Sequence, residues 1–545
     1  MPAPAHRESA ADTVLTGARV RTLDPERPWA SAVAVRDGRI AAVGEAHDVR
    51  DWRGPRTTVL DLAGATLVPG LVDSHSHPVW GVEMATGADL SGCRDLPSLR
   101  AALADAARAA RPGAWVQAWG LDHNAFGGRP VHRDLVEDAL GGAPALIRLY
   151  DGHSALVNGP ALEAAGIDGP RDFDQRASVV CDAEGRPTGH LVEHAAMELL
   201  RPVLPRPTPE QRRAALVTSL REMAAAGLTG AHVMDLQEDV PALLSGIEEG
   251  EEGAGVLPVR LRIAPWCMPG DGAEALDHLV ALQGRGGRHW RIEGVKFFMD
   301  GTVEGGTAWL EHADCHGQGT HAFWPDPRDY ARAVRHLARA DVRTATHAIG
   351  DAAVRHVLDT VAGLGGGQRG RHRIEHIETL PTDQIARFAP LGVAASMQPT
   401  HTAYTRADHT DEWSRRIGAE RAARAWRCRD LRDSGAVLAL GSDWPIAHYD
   451  PRRVMAAARL RRLPGEPGTP PVGPEQALTG LMALEGCTSH AALAAGEEAH
   501  AGRVAPGCRA DLTALALDPV TCPPDELAEA PVRLTMTGGH VTHRA

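Results

Sequence analysis

The sequence predicts an α/β fold: a (β/α)8 TIM barrel, a composite β-sandwich built from both termini, and an α/β insertion after the first barrel strand. Three observations lead there. The middle of the chain alternates short β-branched runs with Ala/Leu/Arg-rich helical stretches, as a βα repeat does. Eight such runs can be picked out, the number that closes a barrel. Both ends of the chain share another style, short alternating strands broken by turns.

The first 65 residues carry TVLTGARVRTL, SAVAVRDGRIAAVG and TTVLDLAGATLVPG, with Asp37-Gly38 as a hairpin turn. ADLTALAL (510–517) and VRLTMTGGHVTH (532–543) resume the pattern. Chain ends often lie close together, so one sandwich from both ends is expected over two unrelated strand pairs. The barrel strands fall at 66–75, 227–235, 259–265, 292–300, 342–348, 372–378, 392–398 and 436–443. His77 and His232 are 155 residues apart, whereas one βα unit needs about 30. An insertion at about 88–210 therefore separates the first two strands, with helices at 97–111 and 208–226. The expected division is 1–65 and 501–545 for the sandwich and 66–500 for the barrel.

Composition narrows the function. At 43% apolar and 23% charged residues the 545-residue chain is globular. Its net charge of -13 and scattered arginines argue against a nucleic-acid binder. MPAPAHRESAADT holds no apolar signal core, and no 18-residue apolar run follows, so no membrane association is expected. Eight cysteines without a CxxC pair point to a reducing cytoplasm. Among 57 basic residues only Lys296 is a lysine. Arginine serves wherever a fixed cation is needed, but it cannot lose its proton, so this one primary amine calls for a reason.

Polar residues gather at the ends of the predicted strands. His75 and His77 end the first, Lys296 lies in the fourth, His347 in the fifth, His376 in the sixth, and Asp443 ends the eighth. Residues i and i+2 of a strand share a face, so His75 and His77 can converge. All six would meet at the C-terminal mouth of the barrel. Imidazoles with a carboxylate suit zinc or a similar divalent ion. Singly each has an ordinary reading, a core histidine or an Asp443 turn cap. Together, buried without a metal, they would be very costly.

With LVPGLVDSHSHP, GVKFFMDGT, THAIGDAAV, RIEHIE, LGSDWP and GCRADLTAL in place, the chain resembles the amidohydrolase superfamily, in its family 3 (YtcJ-like) branch, over nearly its whole length. The resemblance implies one metal on His75, His77 and Asp443 and a second on His347 and His376, with zinc as the expected ion. It implies a carboxylated Lys296 bridging the two ions, made from CO2, and a mononuclear site is its alternative. An unprotonated, buried amine suits that chemistry. The ordinary alternative is Lys296 paired to Asp300 or Glu304.

The implied reaction is hydrolysis by metal-activated water, with Asp443 as general base. His153, in DGHSALVN, is a candidate catalytic contact hanging from the insertion, and an ordinary loop histidine otherwise. Trp80 and Trp119 are candidate apolar walls. Arg373, Gln398, Trp444 and His448 are candidate substrate contacts, and His312, His316 and His321 form a loop with no ligand spacing. The expected function is hydrolysis of a non-peptide C–N bond in a small N-acyl or N-formyl amine. A deaminase or a lactonase-type esterase is the enzymatic alternative, and a non-catalytic binding protein the third. Expected partners are an amide-type small molecule and at most a second copy of the chain, as a homodimer.

Overall fold

The computed structural model describes residues 10–173, 175–250, 255–365 and 372–545. Eight strands fall on the expected runs: β1 (Leu71–Ser76), β2 (Leu228–Val233), β3 (Arg260–Ile263), β4 (Val295–Phe298), β5 (Thr344–Ala348), β6 (His372–His376), β7 (Ala394–Met397) and β8 (Leu438–Leu440). They run in two parallel arcs. One has the order Trp290–Ile292, β3, β2, β1, and the other runs β4 to β8 in sequence.

Backbone hydrogen bonds join the arcs at both ends. At one seam the Lys296 amide donates to Pro265 O at 2.8 Å and the Cys267 amide to Lys296 O at 2.9 Å. At the other, the Asp443 amide donates to His75 O at 2.7 Å and the His77 amide to Trp444 O at 3.0 Å. Gly294, at φ +98°, lies between Trp290–Ile292 and β4. A side chain there would be strained, and the glycine lets the chain leave β3 for β5.

Helices pack outside the strands for visible reasons. Pro327–Arg339 starts from Asp326, whose side chain accepts the Arg328 amide, with proline in the first turn. It buries Tyr330, Ala333, Val334 and Leu337, a stripe at helical spacing. Pro209–Ala225, which leads into β2, opens on a capping box between Thr208 and Gln211.

The chain ends build two sheets around one apolar core. The first has the order Arg39–Gly44, Ala32–Arg36, Thr13–Thr16, Thr58–Asp61. The second interleaves the termini: His540–Arg544, Val532–Thr537 and Leu512–Leu515 continue through Thr66–Pro69 into Arg19–Arg21 and Trp29–Ala30. Leu15, Val33 and Ile40 from one sheet and Leu67, Leu512 and Leu534 from the other share the same cluster. The predicted run 66–75 thus divides, with 66–69 in this sheet and 71–76 in β1. Gly70 marks the break, where a Cβ would lie 2.1 Å from Thr229 Oγ1.

Between β1 and β2 stands a six-stranded sheet of its own, from Ala88–Asp89 to Pro187–Val192. Two apolar clusters cover it. Its strands Ser154–Val157 and Pro187–Val192 pair antiparallel with Ser154 opposite Val192. Residues 153 and 193 therefore emerge side by side.

Candidate metal centre and active site

The ends of β1, β4, β5, β6 and β8 bring the six expected residues into one buried group. His75 Nε2 lies 3.3 Å from Lys296 Nζ and 3.4 Å from Asp443 Oδ1. His77 Nε2 lies 3.3 Å from the same Asp443 oxygen. The His376 ring sits 4.7 Å from His75 and 4.5 Å from His347, centre to centre. Ligand atoms of His75, His77 and Asp443 all lie within 4.8 Å of one another.

A second group within that distance is His376, His401 and Asp443. His401 went unread in the sequence. It lies in the short helical turn Pro399–Tyr404 after β7, where no ligand pairs with it locally. His347 is outside both groups, although its ring touches that of His376.

Each histidine is oriented from behind. His75 Nδ1 is 2.6 Å from Glu375 and His77 Nδ1 is 2.7 Å from Asp235. His376 Nδ1 is 2.9 Å from Gln398 Oε1. In these three the Nδ1 proton is committed, so the Nε2 lone pair is left for the centre. His347 is reversed: its Nε2 reaches the Gly301 carbonyl at 3.0 Å, which leaves Nδ1.

The backbone is strained at the same place. His376, Ile377 and Asp443 have φ of +75°, +52° and +59°. For a β-branched residue such as Ile377 this region is costly, and the surrounding hydrogen bonds hold it.

Burial pushes the Lys296 amine down to about 8, against the pull of Glu375 and Asp443. Burial and then Lys296 lower His75 to about 4. Burial would lower His77 too, but its bonds to Asp235 and Asp443 raise it to about 9. His347 and His376 are held well below the usual range, first by burial and then by neighbouring cationic groups. Burial opposes ionisation of Asp443, yet His75 and His77 hold its carboxyl below the usual range.

Lys296 is not ion-paired to either carboxylate expected as an alternative. Asp300 accepts the amides of Trp309, Ile349 and Gly350, and Glu304 takes the Tyr150 hydroxyl. A buried amine beside three imidazoles and an ionised carboxylate is a donor set that fits a divalent ion.

The insertion closes over this group. His153 Nδ1 is 2.7 Å from Glu193, and its ring is 5.0 Å from that of His347. The pairing of Ser154 with Val192 places those two side chains together. Trp80 stacks edge-on to His77 at 5.2 Å and continues into His194, Trp266 and Phe298, with 5.0 Å between the last two rings. Of this aromatic wall only Trp80 was expected.

The other expected contacts take varied positions. Arg373 is buried among the strands, bonded to Glu375, Ser74 O, Ser396 and His232. It holds Glu375 against His75, because a buried guanidinium needs a buried carboxylate. Gln398 likewise braces His376. Trp119 lies on the insertion strand Val116–Leu121, with no ring contact to the site among the described residues. Trp444 packs on Tyr449 at 5.7 Å, and His448 is exposed. His312, His316 and His321 are exposed as well.

Residues 58–543 match the sequence profile of the Amidohydrolase family. The chain is 28% identical to the putative amidohydrolase YtcJ of Bacillus subtilis, over 97% of this chain and 98% of that one. It is 29% identical to the N-substituted formamide deformylase of Arthrobacter pascens, over 97% of each. Its fold is similar to that of an uncharacterized metal-dependent hydrolase from Pyrococcus horikoshii, with a TM-score of 0.71 at 23% identity, covering 94% of this chain and 99% of that one. With the buried histidine, lysine and aspartate group at the strand ends, this match over most of the length assigns the chain to the amidohydrolase family, as a metal-dependent hydrolase of carbon–nitrogen bonds.

Proposed function

We propose that the protein hydrolyses the amide bond of a small N-acyl or N-formyl amine, using two divalent ions, with zinc as the expected metal. The observation that carries this is the convergence of His75, His77, His376 and Asp443 around the free amine of Lys296. The formamide deformylase among its relatives supports the leaving group being an amine. His75, His77 and Asp443 would hold one ion, His347 and His376 the second, with Lys296 as a bridging carbamate. The eight strands, bonded at both seams, are read as a closed (β/α)8 barrel spanning 66–500, with residues 1–65 and 501–545 as its sandwich. All eight cysteines are free, which supports a reducing cytoplasm. Among the described residues no helix is long and apolar enough to cross a membrane.

When bound, the metal supplies Lewis-acid activation of the carbonyl and of water. Asp443, ionised and shared between His75 and His77, takes the proton of the attacking water and returns it to the leaving nitrogen. His153 has its Nδ1 proton committed to Glu193, which turns Nε2 to the substrate's carbonyl oxygen as a donor. Burial opposes the charged imidazole, but Glu193 more than offsets it and raises His153 above its ordinary value, which favours the doubly protonated ring that donates from Nε2. Trp80, Trp266 and Phe298 exclude water and pack the substituent on the amide.

The test is metal analysis of the purified chain together with a hydrolysis screen of N-formyl and N-acyl amines. Two ions per chain and turnover of at least one such amide are expected. A folded chain that takes up no ion, or a loaded one that turns over only lactones or amino-heterocycles, refutes this reading.

A further inference from the structure

A cavity of about 190 Å³ lies at the other end of the strands from the histidine group. Its walls are the starts of β1, β2 and β3, from Gly70, Thr229 and Arg260, and the segment 488–511 closes it. Six arginines and three carboxylates line it, which leaves an excess of positive charge.

The carboxylates are already used. Glu497 takes Arg509 at 2.7 Å and Arg262 at 3.3 Å, and Asp511 takes Arg509 at 3.1 Å and Arg260 at 3.4 Å. Glu293 takes Arg291 at 3.2 Å and Arg262 besides. Arg288 and Arg503 are left over. Among the described residues their side chains reach only backbone carbonyls, Gly255 O at 2.8 Å and Glu498 O at 3.3 Å. Each guanidinium has five N–H donors in a planar fork, so most remain free. His232 also faces this cavity. Its Nδ1 accepts Arg373 at 2.9 Å, which puts the remaining proton on Nε2, one more donor.

We propose that this cavity is a binding site for a small organic or inorganic polyanion, a carboxylate or a phosphate, held by Arg288 and Arg503. Both anions match the guanidinium fork. The cavity's volume suits a metabolite-sized ligand. A ligand there would sit behind His232, Arg373 and Glu375, the hydrogen-bonded series that ends on His75.

The test is calorimetric titration of inorganic phosphate, and separately of citrate, into the full-length chain at low ionic strength. Saturable binding of one or both, near one per chain and with a Kd of about 1 mM or tighter, is expected. The Arg288→Ser/Arg503→Ser double variant should weaken it by about tenfold or more. Phosphate binding without citrate binding names the ligand class as phosphate, and the reverse names carboxylate. No saturable binding of either anion overturns the proposal. So does undiminished binding in the double variant, because an anion captured at the metal centre would not depend on these arginines. The melting temperature and circular dichroism of the variant confirm that it folds.

Discussion

The two halves of the proposed metal centre are built differently. On β1, His75 and His77 are each backed by a carboxylate, Glu375 and Asp235. On β5 and β6, His347 and His376 are backed by neutral groups, the Gly301 carbonyl and the Gln398 amide. A carboxylate behind an imidazole makes it a stronger donor, while a neutral oxygen only fixes its orientation. In the proposed two-ion centre the β1 half should therefore bind more strongly, and the β5/β6 half more weakly and more exchangeably.

The largest expected effect falls between the halves. Lys296→Ala should lower kcat/KM by about a thousandfold or more, with partial recovery in added acetate, measured in a steady-state assay. An unchanged rate would detach Lys296 from both halves. Next comes Asp443→Asn, which should cost about 10²–10⁴ in kcat and leave KM nearly unchanged. A rise in KM alone would make it a binding residue only.

The comparison itself is tested by bracing residues. Glu375→Gln and Asp235→Asn should each weaken metal affinity about 10–100-fold, measured by competition with a chelator. Gln398→Leu should weaken it by about tenfold or less, because it removes a neutral hydrogen bond. A reversed order would break the asymmetry. Glu375→Gln also leaves Arg373 unpaired in the interior, so it should cost about 3–5 kcal/mol in stability, read from denaturant unfolding.

The smallest effect is in pH. His77 is raised to about 9 in the metal-free protein, so below that value an ion must displace its proton. Uptake at the β1 half should strengthen from pH 7 towards about 9. His347 and His376 are already neutral there, so uptake at their half should be nearly flat. Titrations of metal binding at several pH values separate the two, and parallel curves would contradict the asymmetry.

Much of this centre was legible in the chain. His75 and His77 sit two apart, Lys296, His347 and His376 fall within predicted strands and Asp443 ends one, so the strand pattern gathered them. The bracing residues were not legible, since no local pattern pairs Glu375 with His75, 300 residues apart. Arg373, a candidate substrate contact by sequence, turns its side chain inward to Glu375. His401, His194, Trp266 and Phe298 lie on separate elements that only the fold brings together. The strained backbone at His376 and Ile377 belongs to the same class. Its cause is the surrounding structure and not the residue types.

The interleaved terminal sheet sets a clock on synthesis. Arg21 bonds to Asp518 at 2.6–2.7 Å across 497 residues of chain. At about 5–20 residues per second, translation takes roughly 25–100 s to supply that partner. Until then the strand Thr66–Pro69 keeps one edge unpaired, with Leu67 and Val68 lacking the neighbours that bury them in the finished protein. The nascent chain thus carries an open strand edge for most of its time on the ribosome, and a chain that stops short of Leu512 never closes it.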